Sequence, residues 1–276
     1  MVASAVAAGG VRVIGTALDK SVPTAADAVA DIPSGASIAV GGFGLSGIPN
    51  VLLRALLEQG ADRLEVVSNN AGVDDVGLGM LLKQHRLRRI IASYVGENKE
   101  FERQFLAGEL EVELTPQGTL AEKLRAGGSG IAAFYTRAGA GTWVADGGIP
   151  WRYAADGSVA AYSPRKPRES FALGGIEAEY VLEQSIVTDF ALVRAAVGDR
   201  HGNLVFHESA RNFNPVAAMA GRITLAEVER LVEPGEIPPD SVHLAGVFVH
   251  RVVALSAAEA ADKAIEKRTV RAGGAR

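Results

Sequence analysis

A run of four glycines between an apolar strand and a leucine-striped helix constrains this chain more than any other stretch. Gly41-Gly42-Phe43-Gly44-Leu45-Ser46-Gly47-Ile48-Pro49 follows Ser37-Ile38-Ala39-Val40, which reads as a short buried strand. Pro49 suits the opening of a helix, because the first helical position has no use for an N–H. Leu52, Leu53, Leu56 and Leu57 then recur at helical spacing up to Gly60, a fitting stop. The glycines therefore sit in a strand-to-helix turn. Backbone N–H groups there can point at an anion or a polarised oxygen, and no Cβ blocks a close approach.

The pattern Gly42-x-Gly44-x-x-Gly47 also matches the dinucleotide fingerprint in its required strand–turn–helix context. Such a site needs an acid at the end of the second strand for the ribose hydroxyl, or an arginine nearby for a 2′-phosphate. The second strand, Leu64-Glu65-Val66-Val67, ends instead in Ser68-Asn69-Asn70. A dinucleotide is thus poorly supported, and a tight turn holding no ligand explains the glycines as well. Gly44-Leu45-Ser46-Gly47 misses the G-x-S-x-G nucleophile elbow by one residue, which argues against a hydrolase triad on Ser46.

Composition narrows the class. A chain of 276 residues with 48% hydrophobic content can bury a substantial core, and its net charge of −4 offers no footprint for nucleic acid. No apolar run is long enough to span a membrane. The chain has no cysteine, which removes disulfides and thiol catalysis and is compatible with a reducing cytoplasm. Residues 1–17 lack a basic segment ahead of their apolar residues, so they read as an N-terminal extension expected to fray and not as a secretory signal. Residues 18–255 read as one domain, and the Ala-, Glu- and Lys-rich residues 256–276 as a solvated tail.

From Thr24 the chain alternates. Helices are expected over Ala25–Ile32 and Val76–Leu82, and a strand over Arg89–Tyr94. Asn98 can cap a helix whose Phe101, Phe105 and Leu106 share a face. A strand over Leu110–Leu114 precedes Thr119 and Glu122, spaced as a capping box. This rhythm predicts an α/β fold with an open, mostly parallel sheet flanked by helices. After Gly148 it changes. A hairpin around Asp156-Gly157, strands over Tyr180–Ile186 and Phe190–Ala195, and a turn at Gly202-Asn203 into Leu204-Val205-Phe206 read as added antiparallel strands of the same sheet.

Two basic runs, Lys83 to Arg89 and Arg165-Lys166-Pro167-Arg168, read as a solvated face and an exposed loop before they read as phosphate binders. The histidines, among them His201, His207, His243 and His250, lack zinc-like spacing. Asn69, Glu97 and Gln117 each fall near the carboxyl end of an expected strand, the edge where open α/β sheets bind ligands. Any one of them alone is explained by turn formation or helix capping.

Together these stretches resemble the alpha subunit of the family I CoA-transferases, closest to the succinyl-CoA:3-oxoacid (acetoacetate) type. The resemblance rests on Ser34 through Pro49, Ser68–Asp74, Tyr94–Glu102, Leu110–Thr119, Ala126-Gly127-Gly128, Ala133–Thr136, Asp189–Val193 and Ala210-Arg211-Asn212-Phe213-Asn214, and it spans roughly Leu18 to Val253. Ser34, Ser46, Asn50 and Ala132 depart from the family's usual residues, but the loop glycines and Pro49 are intact.

The resemblance implies transfer of CoA between carboxylates. A glutamate on a beta subunit, in a Ser-Glu-Asn-Gly motif, attacks the acyl-CoA thioester and passes through a glutamyl-CoA intermediate, dividing one hard exchange into easier steps. No such tetrapeptide occurs in this sequence; Gly96-Glu97-Asn98-Lys99 is the nearest. The chain is then expected to work only in a heterodimer or heterotetramer with that partner. By the same resemblance Gly41, Gly42, Phe43, Gly44, Leu45, Ser46 and Gly47 form the CoA-binding loop. Gln117 stands beside the thioester carbonyl as a donor, and Asn69 lines the same pocket. CoA enters as substrate and covalent intermediate, with no permanently bound cofactor or metal. The 3-oxoadipate enzymes share these motifs, while a dinucleotide-binding oxidoreductase and a non-catalytic ligand-binding domain are the competing readings.

Overall fold

The computed structural model describes residues 18–96 and 98–263; the expectations for residues 1–17, for Glu97 and for residues 264–276 lie outside it. The chain runs β1 (Ser21–Val22), α1 (Ala25–Val29), β2 (Ser37–Val40), α2 (Asn50–Gln59), β3 (Leu64–Val67), α3 (Leu78–Lys83), β4 (Leu87–Ala92), α4 (Lys99–Leu106), β5 (Glu111–Leu114) and α5 (Gln117–Gly128). It continues with β6 (Ala133–Thr136), α6 (Trp143–Asp146), β7 (Pro150–Tyr153), β8 (Val159–Tyr162), β9 (Arg168–Leu173), β10 (Ile176–Gln184), β11 (Thr188–Asp199) and β12 (Leu204–Val205). The last elements are α7 (Asn214–Ala220), β13 (Gly221–Val232), β14 (Arg251–Ala254) and α8 (Ala257–Ala261).

The central sheet has nine strands in the order β1-β14-β13-β11-β2-β3-β4-β5, with β12 paired to β11. Every pairing along that order is parallel, and only β12 runs antiparallel. Successive strands step outward from β2 in one direction and from β11 in the other. The order therefore reverses between these two neighbours, which makes a topological switch point there.

Alternation along each strand builds two cores. Ile38 and Val40, Val66, Ile90, Leu192 and Leu225 face α1 to α4, with Leu52, Leu53, Leu56, Leu81, Leu82 and Phe101 packed on them. Ala39, Val67, Ile91, Ala191, Val193 and Ala226 face the opposite side, covered by Leu120 and Leu124 of α5 and by Ala217 and Ala218 of α7. Consecutive strand residues thus enter opposite layers, as the period of two requires. Both faces of the sheet are covered, the usual condition of a parallel sheet.

The second half departs from the expected single sheet. Strands β11, β13 and β14 do join it, but β6, β10 and β9 form a separate three-stranded antiparallel sheet, and β7 and β8 a two-stranded hairpin. A buried ion network fastens this unit to the outer strands. Lys123 reaches Glu183 of β10 at 3.1 Å and Glu113 of β5 at 3.5 Å, while Lys166 reaches Glu183 at 2.6 Å. Arg89, expected on a solvated face, instead pairs with Glu65 at 3.5 Å, Glu111 at 3.2 Å and Glu113 at 2.5 Å across neighbouring strands. The side chain of Arg86 in the same run donates to the Gly60 carbonyl at 2.9 Å.

Helix ends differ from expectation at three places. Pro49 stands just before α2 and not inside it, and α5 follows Pro116 directly. Helix α5 accordingly begins two residues before Thr119, so Thr119 and Glu122 form no capping box. In α4, Leu106 is exposed and Gln104 takes the inner position, donating to the Leu82 carbonyl at 2.6 Å. Asn98 does cap that helix, accepting from Phe101 N at 2.9 Å. The first residues of the expected tail fold as α8, opened by a reciprocal Ser256–Glu259 capping box. No helix among the described residues is long and apolar enough to cross a membrane.

Candidate functional site

The glycine loop leaves β2 at the switch point. Its first residue is tied to the neighbouring strand, Gly41 N donating to Leu192 O at 2.9 Å. Phe43 and Ser46 exchange backbone hydrogen bonds, both at 3.0 Å, which folds residues 43–46 into a tight turn. The turn needs left-handed backbone at Gly42 (φ 109°), Gly44 (φ 58°) and Gly47 (φ 70°), conformations that only glycine adopts freely. Phe43 stands at its tip, 48% exposed. Among the described residues the amides of Gly44, Leu45 and Gly47 have no intramolecular acceptor, so this rim retains donors for a ligand.

The glycines do not serve one purpose. A Cβ on Gly41 would lie 2.0 Å from Asn214 Oδ1, and one on Gly42 would lie 2.3 Å from Ile48 Cδ1. A Cβ on Gly47 would lie 2.8 Å from both Ala210 O and Asn214 Nδ2. Those three glycines are required by the protein's own packing. At Gly44 a Cβ meets nothing within 4 Å, so Gly44 alone leaves its side open to an incoming molecule. The sequence reading takes the absent Cβ atoms to clear a ligand's approach; at Gly42 the space is needed by Ile48 instead, and at Gly44 it is open.

Asparagines from the start of α7 hold the loop from beneath. Asn214 is fully buried. Its Nδ2 donates to Gly47 O at 3.0 Å and Ala210 O at 2.8 Å, and its Oδ1 accepts from Arg194 N at 3.1 Å. Asn212 Nδ2 donates to Ser46 O at 3.1 Å. Just upstream, Glu208 adopts φ 44°, a strained value for a residue with a Cβ, on the lip of a crevice lined by Ser46, Gly47, Arg194 and His207. Sequence reasoning noted Asn212 and Asn214 only as resembling known residues and assigned them no role. Their signal was two amides within three residues ahead of an alanine-rich helix.

The amino end of α2 follows the glycine turn and offers N–H groups of its own. It is satisfied from inside. Glu227 of β13, fully buried, accepts from Leu52 N at 2.9 Å and lies 3.4 Å from the Arg194 guanidinium. Burial pushes its carboxyl up to about 7, against the pull of the α2 amides and of Arg194. The open donors of the site therefore belong to the glycine turn and not to the helix.

The other expected residues lie along the same edge of the sheet. Asn69 follows β3, next to the loop, where Ser68 Oγ donates to Val40 O at 2.9 Å and ties the two strand ends together. Asn69 is 2% exposed, and its Nδ2 has no hydrogen-bond partner among the described residues. Ser93 Oγ after β4, Thr119 Oγ1 in α5 and Asn50 Oδ1 in α2 are also buried and without a partner among the described residues. Orphaned buried polar atoms are rare in folded proteins, and four along one edge mark a surface that is polar by design. Gln117 opens α5 after β5 and is exposed. Asn69 and Gln117 follow β3 and β5, strands that have β4 between them. Both fall on the carboxyl edge of the sheet. Two of the histidines take structural roles: His243 Nδ1 accepts from Phe206 N and His250 Nδ1 from Thr224 N, both at 3.0 Å.

Residues 22–255 match the family model described as coenzyme A transferase. Over 254 residues the chain is 65% identical to one subunit of the probable succinyl-CoA:3-ketoacid coenzyme A transferase of Mycobacterium tuberculosis, covering 92% of this chain and 100% of that one. It is 50% identical over 242 residues to the human mitochondrial succinyl-CoA:3-ketoacid coenzyme A transferase 2, covering 88% of this chain and 46% of that protein. Among solved structures it resembles the acyl-CoA transferase of Escherichia coli O157:H7, with a TM-score of 0.71 at 22% identity over 88% of this chain and 48% of that chain. Glutaconate coenzyme A-transferase from Acidaminococcus fermentans gives a TM-score of 0.70 at 21% identity, covering 88% of this chain and 77% of that one. The two structural likenesses concern the fold. This chain spans about half the length of the human and E. coli proteins it matches.

Proposed function

The chain belongs to the coenzyme A transferase family, and from that premise we propose that it is the alpha subunit of a succinyl-CoA:3-oxoacid CoA-transferase. The observation that carries this reading is the 65% identity over the full length of a relative named as the corresponding subunit of such an enzyme. Succinyl-CoA is the proposed donor and acetoacetate the proposed acceptor.

The nucleophile belongs to the partner. A glutamate carboxylate in its Ser-Glu-Asn-Gly motif attacks the thioester carbonyl, giving a mixed anhydride and releasing the CoA thiolate. The thiolate attacks the glutamyl carbonyl of the anhydride, the first acid leaves as its carboxylate, and a glutamyl-CoA thioester remains. The second acid reverses both steps and regenerates the glutamate. This chain supplies surroundings for that exchange. Gly44, Leu45 and Gly47 present backbone N–H groups to CoA, and the side of Gly44 without a Cβ gives it room. Exposed Gln117 donates to the oxyanion that develops at the carbonyl, where an amide adds no charge of its own. The unpaired Nδ2 of Asn69 offers a second donor nearer the loop. Contacts to the body of CoA, remote from the reaction, provide binding energy usable at the reacting carbonyl.

The test is to purify the chain with whatever binds it in its own cell, identify the partner by mass spectrometry, and assay exchange from succinyl-CoA to a panel of acids. A partner containing Ser-Glu-Asn-Gly and preferential use of acetoacetate are expected. Preference for 3-oxoadipate would correct the substrate, and absence of any CoA exchange by the pair would remove the function.

A further inference from the structure

Beneath the glycine loop lies a buried carboxylate that the exchange chemistry does not use. Glu227 has no solvent exposure, accepts from Leu52 N at 2.9 Å and lies 3.4 Å from Arg194 Nη1. The same Arg194 gives its backbone N–H to Asn214, whose side chain holds Gly47. The trailing side of the loop is thereby tied at two points: Gly47 through Asn214, and the start of α2 through Glu227, with Arg194 common to the two branches. Arg194 is in turn held by Glu229 at 3.0 Å and by the Ala260 carbonyl of α8 at 3.0 Å.

We propose that Glu227 is the positioning residue of the glycine loop, its ionised carboxylate holding α2 and Arg194 so that the rim of residues 44–47 keeps its N–H groups turned outward. This rests on the reading that the loop receives CoA, but the geometric part stands without it. A carboxylate placed here is costly. The charged groups around it are Arg194 from β11, Arg54 from α2, and, through Arg194, Glu229 of β13 with Lys263 beyond α8 at 3.0 Å. Asp262 takes up Arg54 at 2.6 Å. One partly shared guanidinium at 3.4 Å does not offset full desolvation, consistent with a carboxyl raised to about 7. A residue kept only for stability at this position would be neutral. A carboxyl group kept beside Leu52 N and the Arg194 guanidinium despite its desolvation points to a role in holding the site, the usual trade between stability and activity.

The experiment uses the full chain with its partner and compares wild type with Glu227→Gln. Amide hydrogen exchange over residues 42–53, corrected for the chemical exchange rate, is read at pH 6 and pH 8, with melting temperature and coenzyme A affinity alongside. At pH 8 Glu227→Gln should exchange about 10-fold or more faster over these residues and bind coenzyme A about 10-fold more weakly, without a fall in melting temperature. In wild type, protection over the same residues should be lower at pH 6 than at pH 8, while the peptides of β4 and β5 stay unchanged. That comparison needs no variant and holds should Glu227→Gln fail to fold. Equal protection at both pH values, or faster exchange accompanied by a matching fall in melting temperature, overturns the proposal. Altered loop protection in a protein that never binds coenzyme A would retain the positioning role and remove the CoA reading instead.

Discussion

The side-chain amide of Asn214 donates to the carbonyl of Gly47 at 3.0 Å while its oxygen accepts the backbone N–H of Arg194 at 3.1 Å. One buried residue thus joins the glycine loop to the neighbouring strand across the switch point of the sheet. Asn214→Ala would leave the carbonyls of Gly47 and Ala210 and the N–H of Arg194 unpaired. Each buried unsatisfied group costs about 1–3 kcal/mol. A loss of about 3 kcal/mol or more is expected in urea unfolding of the purified chain, and a change under about 0.5 kcal/mol, the range of an ordinary surface substitution, would show that the clamp is not needed.

Gly42 and Gly44 should respond differently to the same change. Gly42→Ala drives a methyl into Ile48 and should destabilise the fold, whereas Gly44→Ala meets open space and bears only the left-handed backbone cost of roughly 1 kcal/mol. Gly44→Ala should therefore leave the melting temperature within a few degrees of wild type and raise KM for acyl-CoA. The reverse ranking, Gly42→Ala silent and Gly44→Ala unfolded, would contradict the assignment of the two glycines.

Gln117 is exposed and bears no structural load, so its removal should be read in kinetics alone. In the assembled enzyme Gln117→Ala should lower kcat by about 10²-fold, the loss typical of one oxyanion donor. A rise confined to KM would instead mean equal contact with ground and transition states. Asn69→Ala should lower kcat less. Its Nδ2 has no partner to lose among the described residues, so stability should hardly change.

Glu227 makes stability depend on pH in a defined direction. Its carboxyl titrates at about 7 in the folded chain, above the ordinary 4.5, so the folded state holds the proton more tightly than the unfolded state. The stabilisation from this group is fully present below pH 4.5 and is lost as pH rises through 7. At 1.36 kcal/mol per pH unit the span amounts to about 3 kcal/mol. Urea unfolding of wild type and Glu227→Gln at pH 5 and pH 8 checks this: the difference between them should shift toward the variant at the higher pH. A difference independent of pH would mean that Glu227 does not titrate in this range.

The alternation of strands and helices as far as α5 was legible because each apolar run has a length and period that admit one reading. The glycine loop was legible for the same reason, since four glycines between Val40 and Pro49 fit few conformations. Strand β13 was not, because Ile223, Leu225 and Val228 are interrupted by Glu227 and Glu229, and a buried charge carries no local sign that distant Arg194 will meet it. The separate sheet of β6, β9 and β10 escaped for a related reason. Strand pairing depends on which edge is free in space, and the ions that fasten this sheet, Lys123 and Glu183, are 60 positions apart. At the site, the distinction between Gly42 and Gly44 depends on Ile48 lying behind Gly42, which no spacing rule reveals.

The central claim is that this chain is one part of an enzyme whose nucleophile belongs to another. The most direct measurement is mass spectrometry of the purified pair after treatment with succinyl-CoA and trapping of the thioester by borohydride. The modified glutamate should map to the partner's Ser-Glu-Asn-Gly peptide, every peptide of this chain should be unmodified, and the chain purified alone should give no turnover. A modified glutamate in this chain, including Glu97, or full turnover without a partner, would contradict the account.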